Sequence, residues 1–442
     1  MMDIVLETLS KIGFMFAVIM GMVVVLIWME RKGAAFIQDR TGPNRAAILG
    51  VRLAGLVHPV ADVFKLLFKE DIRPAGRHQA FYNLAPWLVM TIALSTYTVI
   101  PFGDYLTVAG KKVALVTADL NVGLLYILAV ASLGTYGVVR AGWASNNKFT
   151  FLGGVRATAQ MISYEINMAL ALMGLVLVFS NAATPEHLRE FFGTDFLSGL
   201  RLTHLVAGQG ELLWGFLPKW GIVVQPLGFF LFITAVYAET NRNPFVLPEG
   251  DSEIVAGYHL EYSSMKFALF FMAEYAHMVI GAALIATFYF GGYQIPWLPR
   301  PVLEAHAGSL LTIKLIAVAL VSFLFAVLFL RRVQREKGKF GDLRDNEPKL
   351  GAGLWLIVGM AALGGLVLKP WTIGPEGASL FAGLMQVGSF LAKLVFFAWL
   401  FIWVRWTLPR FRYDQLMALG WKVMLPLGVA NLVVTAVWLA IF

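Results

Sequence analysis

The sequence predicts an all-α, polytopic integral membrane protein with about ten transmembrane helices and one interfacial amphipathic helix. Of its 442 residues, 59% are apolar and only 14% are charged, with a mean hydropathy of +0.72, which is too apolar for a soluble globular protein. None of its apolar segments shows the alternation of a transmembrane β-strand. Ten segments are long enough to cross about 30 Å of hydrocarbon as helices. They lie at 12–29, 84–102, 120–139, 162–180, 222–239, 265–290, 307–330, 351–368, 379–404 and 422–442.

The distribution of lysine and arginine predicts the orientation of these helices. With the N-terminus outside, the odd-numbered loops carry 24 of the 35 Lys and Arg residues, and the even-numbered loops with the N-terminal tail carry 8. Cytoplasmic loops are enriched in these residues. We therefore expect a single multi-pass membrane domain, residues 1–442, with the odd-numbered loops cytoplasmic and both termini on the opposite, periplasmic side. The first apolar segment follows an acidic tail, so we expect a retained helix and not a signal peptide.

Several cofactor classes are excluded by the residues that the chain lacks. It has no cysteine, so it forms no disulfide and no cysteine-ligated zinc or iron–sulfur site. It also lacks a dinucleotide fingerprint and a phosphate-binding loop, and its seven histidines include no pair four residues apart. We expect no metal site, and we expect any redox cofactor to be bound by partner subunits. The net charge of +8 reflects topology and lipid contact, because no basic soluble segment indicates nucleic-acid binding.

The first predicted cytoplasmic loop, 30–83, contains a helix that does not span the membrane. Between residues 52 and 70, apolar residues recur at helical spacing, while His58, Asp62, Lys65 and Lys69 form a polar stripe on the opposite face. This pattern predicts an amphipathic helix lying in the interface or against a partner, and its usual role is that of an anchor.

The loop at 239–264 is unusually acidic for a segment between two apolar runs. From Arg242 onward it carries four carboxylates and one arginine. Glu239 ends the preceding apolar run, and Glu274 lies inside the next one. Carboxylates at membrane depth are costly and need partners, so their presence favours proton or cation handling.

A third cytoplasmic segment, 405–421, is rich in arginine and aromatic residues. Together with 30–83 and 239–264, it is predicted to lie on one face of the membrane. Buried arginine forks need carboxylate or carbonyl partners. We therefore expect the three segments to enclose a partly buried cavity.

The polar motifs of these segments resemble those of one family of NADH–quinone oxidoreductase membrane proteins, the bacterial H subunits, which are counterparts of mitochondrial complex I subunit 1. The resemblance covers nearly the whole chain except about 295–375. The matching segments are Glu30–Lys32, Gln38–Arg45, Ala61–Lys65, Gly153–Glu165, Ala238–Phe245, Pro248–Gly257, Glu261–Tyr262, Ala273–Tyr275 and Pro409–Gln415.

The resemblance implies a membrane subunit that lines the quinone tunnel and couples quinone reduction to proton translocation. It implies contacts with the quinone-reducing peripheral arm, with adjacent small membrane subunits, with quinone and with lipids. NADH, FMN and the iron–sulfur clusters would be bound by partner subunits. The family motifs assign quinone binding to Gln38, Arg40, Asp62, Arg242, Glu249, Asp251, Glu253 and Arg410, and an acidic proton relay to Glu165, Glu239 and Glu274.

Physical reasoning supports the proton relay and also leaves alternatives open. A carboxylate desolvated at membrane depth can take up and release a proton as its surroundings change. However, Glu165 can also be a carboxylate favoured by a helix N-terminus. Glu274 can instead form a structural ion pair with an intramembrane lysine such as Lys393.

The chain departs from the family pattern at two places. Val246 occupies a position where the family usually has an aspartate, which makes the loop less acidic. The family usually has eight spans, so 307–368 is interpreted as an inserted helix pair with no assigned function.

Two alternative functions remain open from the sequence. One is the related membrane subunit of a proton-translocating hydrogenase, which uses no quinone. The other is a secondary transporter, although the inverted repeats that such a protein predicts are not visible.

Overall fold

The computed structural model describes residues 2–108, 110–180, 184–185, 188–189, 194, 196–246, 255, 257–336, 338, 341, 343–367 and 374–441. These residues are mostly helical, and the predicted all-α, polytopic class is confirmed. The helices are α1 Met2–Ile37, α2 Val57–Phe68, α3 Gln79–Thr96, α4 Gly123–Ala144, α5 Lys148–Phe179, α6 Leu202–Gly208, α7 Gly221–Val224, α8 Pro226–Glu239, α9 Ser264–Tyr289, α10 Arg300–Ala305, α11 Ala307–Glu336, α12 Glu347–Val367, α13 Pro375–Thr407, α14 Tyr413–Ala418 and α15 Leu425–Ile441.

Eight of the described helical segments are long and apolar enough to cross a membrane. They are α1, α4, α5, α9, α11, α12, α13 and the continuous segment Tyr413–Ile441, in which a π-helical stretch, Leu419–Met424, joins α14 to α15. The other two predicted spans are also helical. Helix α3 has 18 residues and carries the polar residues Gln79 and Asn83 near its start. Helix α8 has 14 residues and is separated from the short helix α7 only by Gln225.

Helix α9 forms the centre of the fold. Within its most apolar window, 72% of the residues are buried inside the protein, a larger share than in any other described span. It packs against α1, α3 and α13, while α5 packs against α4, α8 and α15. Side chains from these helices build the main apolar core, which includes Phe232, Phe288 and Phe401. A helix whose apolar residues are distributed around its whole circumference is expected in such a buried position.

The amphipathic helix is present but shorter than predicted. Helix α2 begins at Val57, not at residue 52, because a 3₁₀ turn, Leu53–Gly55, precedes it. Gly55 has a φ of +98°, and a Cβ at this position would lie 2.1 Å from the Pro43 carbonyl oxygen. The backbone therefore has to turn here, and apolar periodicity alone does not reveal that constraint.

Two short β-hairpins were not predicted from the sequence. Strands β1 Tyr105–Val108 and β2 Lys111–Ala114 pair antiparallel in the α3–α4 connection, and β3 Leu212–Leu213 pairs with β4 Leu217–Pro218. These strands are two to four residues long, so they carry almost no alternation signal.

Helices α11 and α12 form a hairpin that packs mainly on itself. Phe329 lies against Gly351, Phe323 against Gly359, and the rings of Phe325 and Trp355 stack with centroids 4.9 Å apart. Outside this pair, the two helices contact mainly α13 and the turn before α12. The described part of the predicted segment 307–368 is therefore a discrete helical unit.

The predicted topology can be tested with single cysteines, because the chain has none of its own. Leu49 and Trp214 are 91% and 81% exposed and lie in loops of opposite predicted sidedness. We expect a membrane-impermeant maleimide to label Leu49→Cys only from the cytoplasmic side and Trp214→Cys only from the periplasmic side. Labelling of both from the same side would contradict the topology.

Candidate functional site

A buried cluster of charges surrounds Arg242, just beyond the end of α8. The side chain of Arg242 is only 2% exposed. Its Nη1 lies 3.3 Å from Oε2 of Glu30 on α1, and its Nε lies 3.2 Å from Oε1 of Glu274 on α9. One guanidinium thus links carboxylates from two helices that are far apart in sequence.

A second arginine and a tyrosine complete this Arg242 cluster. Nη1 of Arg405 lies 2.6 Å from Oε1 of Glu30, and the Tyr275 hydroxyl donates to Oε2 of Glu30 at 2.7 Å. The Arg242 guanidinium also lies 4.3 Å from the centre of the Tyr275 ring. Two carboxylates therefore face two guanidinium groups, and this balance offsets the desolvation cost of each charge.

From the family motifs, Arg242 was predicted to bind quinone and Glu274 to relay protons, but the structure pairs the two side chains directly. The alternative partner for Glu274, Lys393, is wrong. Its Nζ donates instead to the carbonyl oxygens of Phe290, Gly292 and Gln294 at 2.7–2.8 Å. Lys393 therefore satisfies carbonyls beyond the C-terminal end of α9, a favourable place for a cation.

Glu30 and Arg405 were not among the predicted site residues. Both lie in segments that resemble the family or were singled out for their charge. The available signal was that Glu30 ends a long apolar stretch, as Glu239 does. Its partner Arg242 is 212 positions away, so only the folded chain identifies the pair.

A cavity of about 240 Å³ lies between α1, α2 and α9. Its lining includes one ion pair, in which Nη2 of Arg31 lies 2.5 Å from Oδ2 of Asp62. The remaining surface is mostly apolar, as is typical of sites for hydrophobic ligands. The cavity, called the α1–α2–α9 cavity below, is lined by Ile27, Arg31, Pro59, Asp62, Val63, Lys65, Leu66, Met265, Phe267, Ala268, Phe271 and Met272.

Two phenylalanines separate this cavity from the Arg242 cluster. Phe267 and Phe271 line the cavity and also line a much smaller pocket that contains Glu274. The ring of Phe271 contacts that of Tyr275, with centroids 4.9 Å apart. Phe267, Phe271 and Glu274 share one face of α9, since they are spaced by three, four or seven positions. The charged cluster therefore lies directly behind the aromatic wall of the cavity.

The other two predicted relay carboxylates, Glu239 and Glu165, lie on α8 and α5. Glu239 lines a small cavity of about 40 Å³ together with Thr96, Thr240 and His277. Its buried Oε2 has no hydrogen-bond partner among the described residues. Glu165 on α5 accepts a hydrogen bond from the Ser132 hydroxyl and is close enough to repel Glu239 electrostatically.

His277 was also missed by the sequence analysis. It follows Glu274 by three positions, so the two side chains lie on neighbouring positions of the same face of α9. The spacing was visible in the sequence, but the cavity shared by His277 and Glu239 was not.

The segment before α3 is attached to the start of α9 by polar contacts. Lys266 donates to Oδ2 of Asp71 at 3.0 Å, and Arg73 donates to the same oxygen at 2.8 Å. Partial burial of Asp71 disfavours its charged form, but these two hydrogen bonds outweigh that effect and lower the pKa of the carboxyl. Ser264 also donates to the Leu66 carbonyl at 2.9 Å, which joins α9 to α2.

The arginine-rich segment 405–421 packs against the start of the acidic loop. Asn243 donates to the carbonyl oxygen of Arg405 at 2.9 Å, and the Phe411 N–H donates to the Pro244 carbonyl at 3.1 Å. The rings of Phe245 and Phe411 also pack together. This contact holds Arg405 next to the Arg242 cluster.

Three further predicted quinone-binding residues, Gln38, Arg40 and Arg410, are described by the structure and do not line the α1–α2–α9 cavity. Arg40 donates to Gln38 at 2.7 Å, and both side chains are exposed at the end of α1, as is Arg410 in the third segment. Val246 is half-buried at the start of the acidic loop. The predicted residues Glu249, Asp251 and Glu253 lie outside the described residues. Within the described ranges, no group of three or more histidines and carboxylates is arranged to hold a metal ion.

Comparison with known proteins gives one consistent family. A family profile described as "NADH dehydrogenase" matches residues 10–337 and 352–436. The chain is 41% identical over 431 residues to an NADH-quinone oxidoreductase H subunit of Solibacter usitatus, covering 97% of the chain and 95% of the relative. It is 36% identical over 440 residues to an H subunit of the same enzyme in Cytophaga hutchinsonii, covering 100% and 98%. It is 38% identical over 418 residues to NADH-quinone oxidoreductase subunit 8 of Rhodothermus marinus, covering 95% and 93%.

The importance of Arg242 can be tested by removing its charge. Arg242→Met leaves Glu30 and Glu274 buried without their shared counter-ion, and breaking a buried pair in this way typically costs about 3–5 kcal/mol. We expect a lower thermal unfolding midpoint or a reduced yield of the purified protein. The exposed residue Arg40 provides the control, since Arg40→Met is expected to have little effect. Equal stability of the two variants would contradict a structural ion cluster.

Proposed function

The chain belongs to the family of NADH–quinone oxidoreductase H subunits, and we propose that it binds quinone in the α1–α2–α9 cavity and passes protons inward through its buried carboxylates. Family membership makes it a multi-pass membrane subunit of a respiratory oxidoreductase complex. The position of the quinone and the path of the protons are the proposed part.

Quinone binding is supported by the composition of the cavity. A quinone has a polar, planar head and an apolar tail. The apolar surfaces of α2 and α9 suit the tail, and Phe267 and Phe271 offer rings against which a planar head can pack. Arg31 and Asp62 supply polar groups for orienting the carbonyl oxygens.

The redox chemistry requires partners. Reduction of a quinone to a quinol takes up two electrons and two protons. The chain has no cysteine to ligate an iron–sulfur cluster, and we propose that FMN and the clusters are bound by the peripheral-arm subunits, docked over the cytoplasmic loops 30–83 and 239–264. The role of this chain is then to hold the quinone and to respond to the charge that develops on it.

The single observation that carries this proposal is the position of Glu274. It pairs with Arg242 inside the protein and also lines the small pocket behind Phe267 and Phe271. Negative charge on a quinone in the cavity would therefore act on a charge cluster a few side chains away. In a poorly solvated site such interactions are strong, because little water screens them. A change at the quinone can thus alter the pairing of Arg242 with Glu30 and Glu274.

The inner carboxylates continue this path. Glu239 and His277 share a cavity of about 40 Å³ with two threonines, which is space and polarity enough for water molecules. Glu165, with Ser132, follows on α5. Intramembrane ionisable residues of this kind mark proton routes. We propose the order Glu274, His277, Glu239 and Glu165 for proton transfer away from the quinone cavity towards adjacent small membrane subunits.

This path can be tested by neutralising its carboxylates in the intact complex. Glu274→Gln and Glu165→Gln keep the side-chain shape but cannot ionise. We expect the complex to assemble and to lose quinone reduction and proton transport together, each by several-fold, measured in proteoliposomes. Glu211→Gln, at a half-exposed periplasmic-side pair with Lys219, is the matched control. Unchanged coupled activity in both relay variants would remove these residues from the path.

A further inference from the structure

A buried ion pair attaches the α11–α12 hairpin to the cytoplasmic loop 38–56. Nε of Arg52 donates to Oε2 of Glu347, the first residue of α12, at 2.5 Å. The Arg52 side chain is fully buried, and that of Glu347 is 11% exposed. A second contact lies close by, since Arg344 donates to the Arg45 carbonyl oxygen at 3.3 Å.

Glu347 pairs with a cation that lies in a basic environment. Arg52 and Arg332 both lie close enough to Lys32 to repel it electrostatically. The three cations come from α1, the loop and α11, and the Glu347 carboxylate of α12 pairs with Arg52. Removing one partner of such a buried pair leaves an uncompensated charge.

The loop held by this pair has an unfavourable backbone conformation. Leu49, Leu53 and Ala54 have φ values of 47° to 54°, in the left-handed region that residues other than glycine rarely adopt. Such conformations cost free energy and persist only where contacts with the surrounding structure hold them in place. The loop therefore depends on its external contacts to keep its shape.

The same loop is bonded to both walls of the α1–α2–α9 cavity. On α1, Trp28 donates to the Ala54 carbonyl at 3.0 Å, and Lys32 donates to the Thr41 carbonyl at 2.8 Å. These two residues directly follow the cavity residues Ile27 and Arg31.

On α2, the side chain of His58 contacts the backbone of the loop at two places. His58 Nδ1 lies 3.1 Å from the Gly55 carbonyl oxygen, and His58 Nε2 lies 3.4 Å from the Ala46 backbone nitrogen. Its neighbour Pro59 lines the cavity. The loop thus connects the α1 wall, which carries Arg31, to the α2 wall, which carries Asp62.

We propose that the α11–α12 hairpin is a brace for the cavity and that Glu347 and Arg52 are positioning residues for quinone binding. Through Arg52, Glu347 holds the loop 38–56, and the loop sets the separation of Arg31 and Asp62. This role gives a purpose to a helix pair that otherwise packs mainly on itself. The part that concerns quinone rests on the proposed function, whereas the ordering of the loop does not.

The test compares Glu347→Gln with Asp345→Asn in the intact complex. Both substitutions turn an acid into its amide in adjacent turns, but Asp345 accepts a hydrogen bond from Gly341 within the hairpin itself. For Glu347→Gln we expect several-fold faster backbone hydrogen exchange in peptides from 38–56 and a several-fold higher KM for quinone, with kcat much less affected. Asp345→Asn is expected to resemble the unmodified protein in both measurements. If Glu347→Gln fails to assemble, Glu347→Asp retains the charge and is expected to shift both values in the same direction by less.

Two results would overturn the proposal. Unchanged exchange at 38–56 in the assembled Glu347 variant would show that the ion pair does not order the loop. Faster exchange with an unchanged KM would show that the loop does not act on the cavity. A third variant, Asp62→Asn, tests the proposed quinone site independently of the hairpin. An unchanged KM for quinone in Asp62→Asn would show that quinone does not bind in this cavity.

Discussion

Burial of charge inside a membrane protein is the constraint on which the rest of this structure depends. Glu30 and Glu274 lie on different helices, and each would be costly to bury alone. Arg242 contacts both, and Arg405 and Tyr275 supply the remaining partners of Glu30. The positions of α1, α9 and the start of the acidic loop are therefore tied together by electrostatics. The segment 405–421 joins them through Arg405.

Helix α9 connects the Arg242 cluster to the α1–α2–α9 cavity. One side of the helix presents Phe267 and Phe271 to the α1–α2–α9 cavity, and the following turns present Glu274 and His277 to the protein interior. A single helix thus extends from the mostly apolar cavity to the partly buried carboxylate Glu274 and to His277, which shares a second cavity with Glu239. The balanced charges around Arg242 make that junction sensitive to new charge, because altering one member changes the preferred partners of the others. The loop 38–56, which the α11–α12 hairpin contacts through Arg52, is hydrogen-bonded to α1 and α2 beside this cavity.

The sequence was a good guide to what depends on local composition and a poor guide to pairing at long range. The apolar runs predicted all ten helical regions, since the need to satisfy backbone groups in a membrane leaves few alternatives. The family motifs identified Arg242 and Glu274, but nothing in the sequence showed that they pair with each other. Lys393 was a reasonable partner for Glu274 by composition, yet it binds carbonyls at the end of α9. The start of α2 was predicted five residues too early, because a 3₁₀ turn ends at Gly55, where the nearby Pro43 carbonyl leaves no room for a side chain.

Labelling of the intact complex with a photoreactive quinone would show whether quinone binds in the α1–α2–α9 cavity. After illumination and digestion, we expect crosslinks in peptides from Val57–Phe68 and from the first turns of Ser264–Tyr289. Excess unreactive quinone is expected to prevent these crosslinks. Substitution of Phe271 by a bulkier tryptophan is predicted to reduce this labelling while the complex remains assembled. Competed labelling that falls only on other helices, or on none of this chain, would contradict the placement of quinone next to the Arg242 cluster.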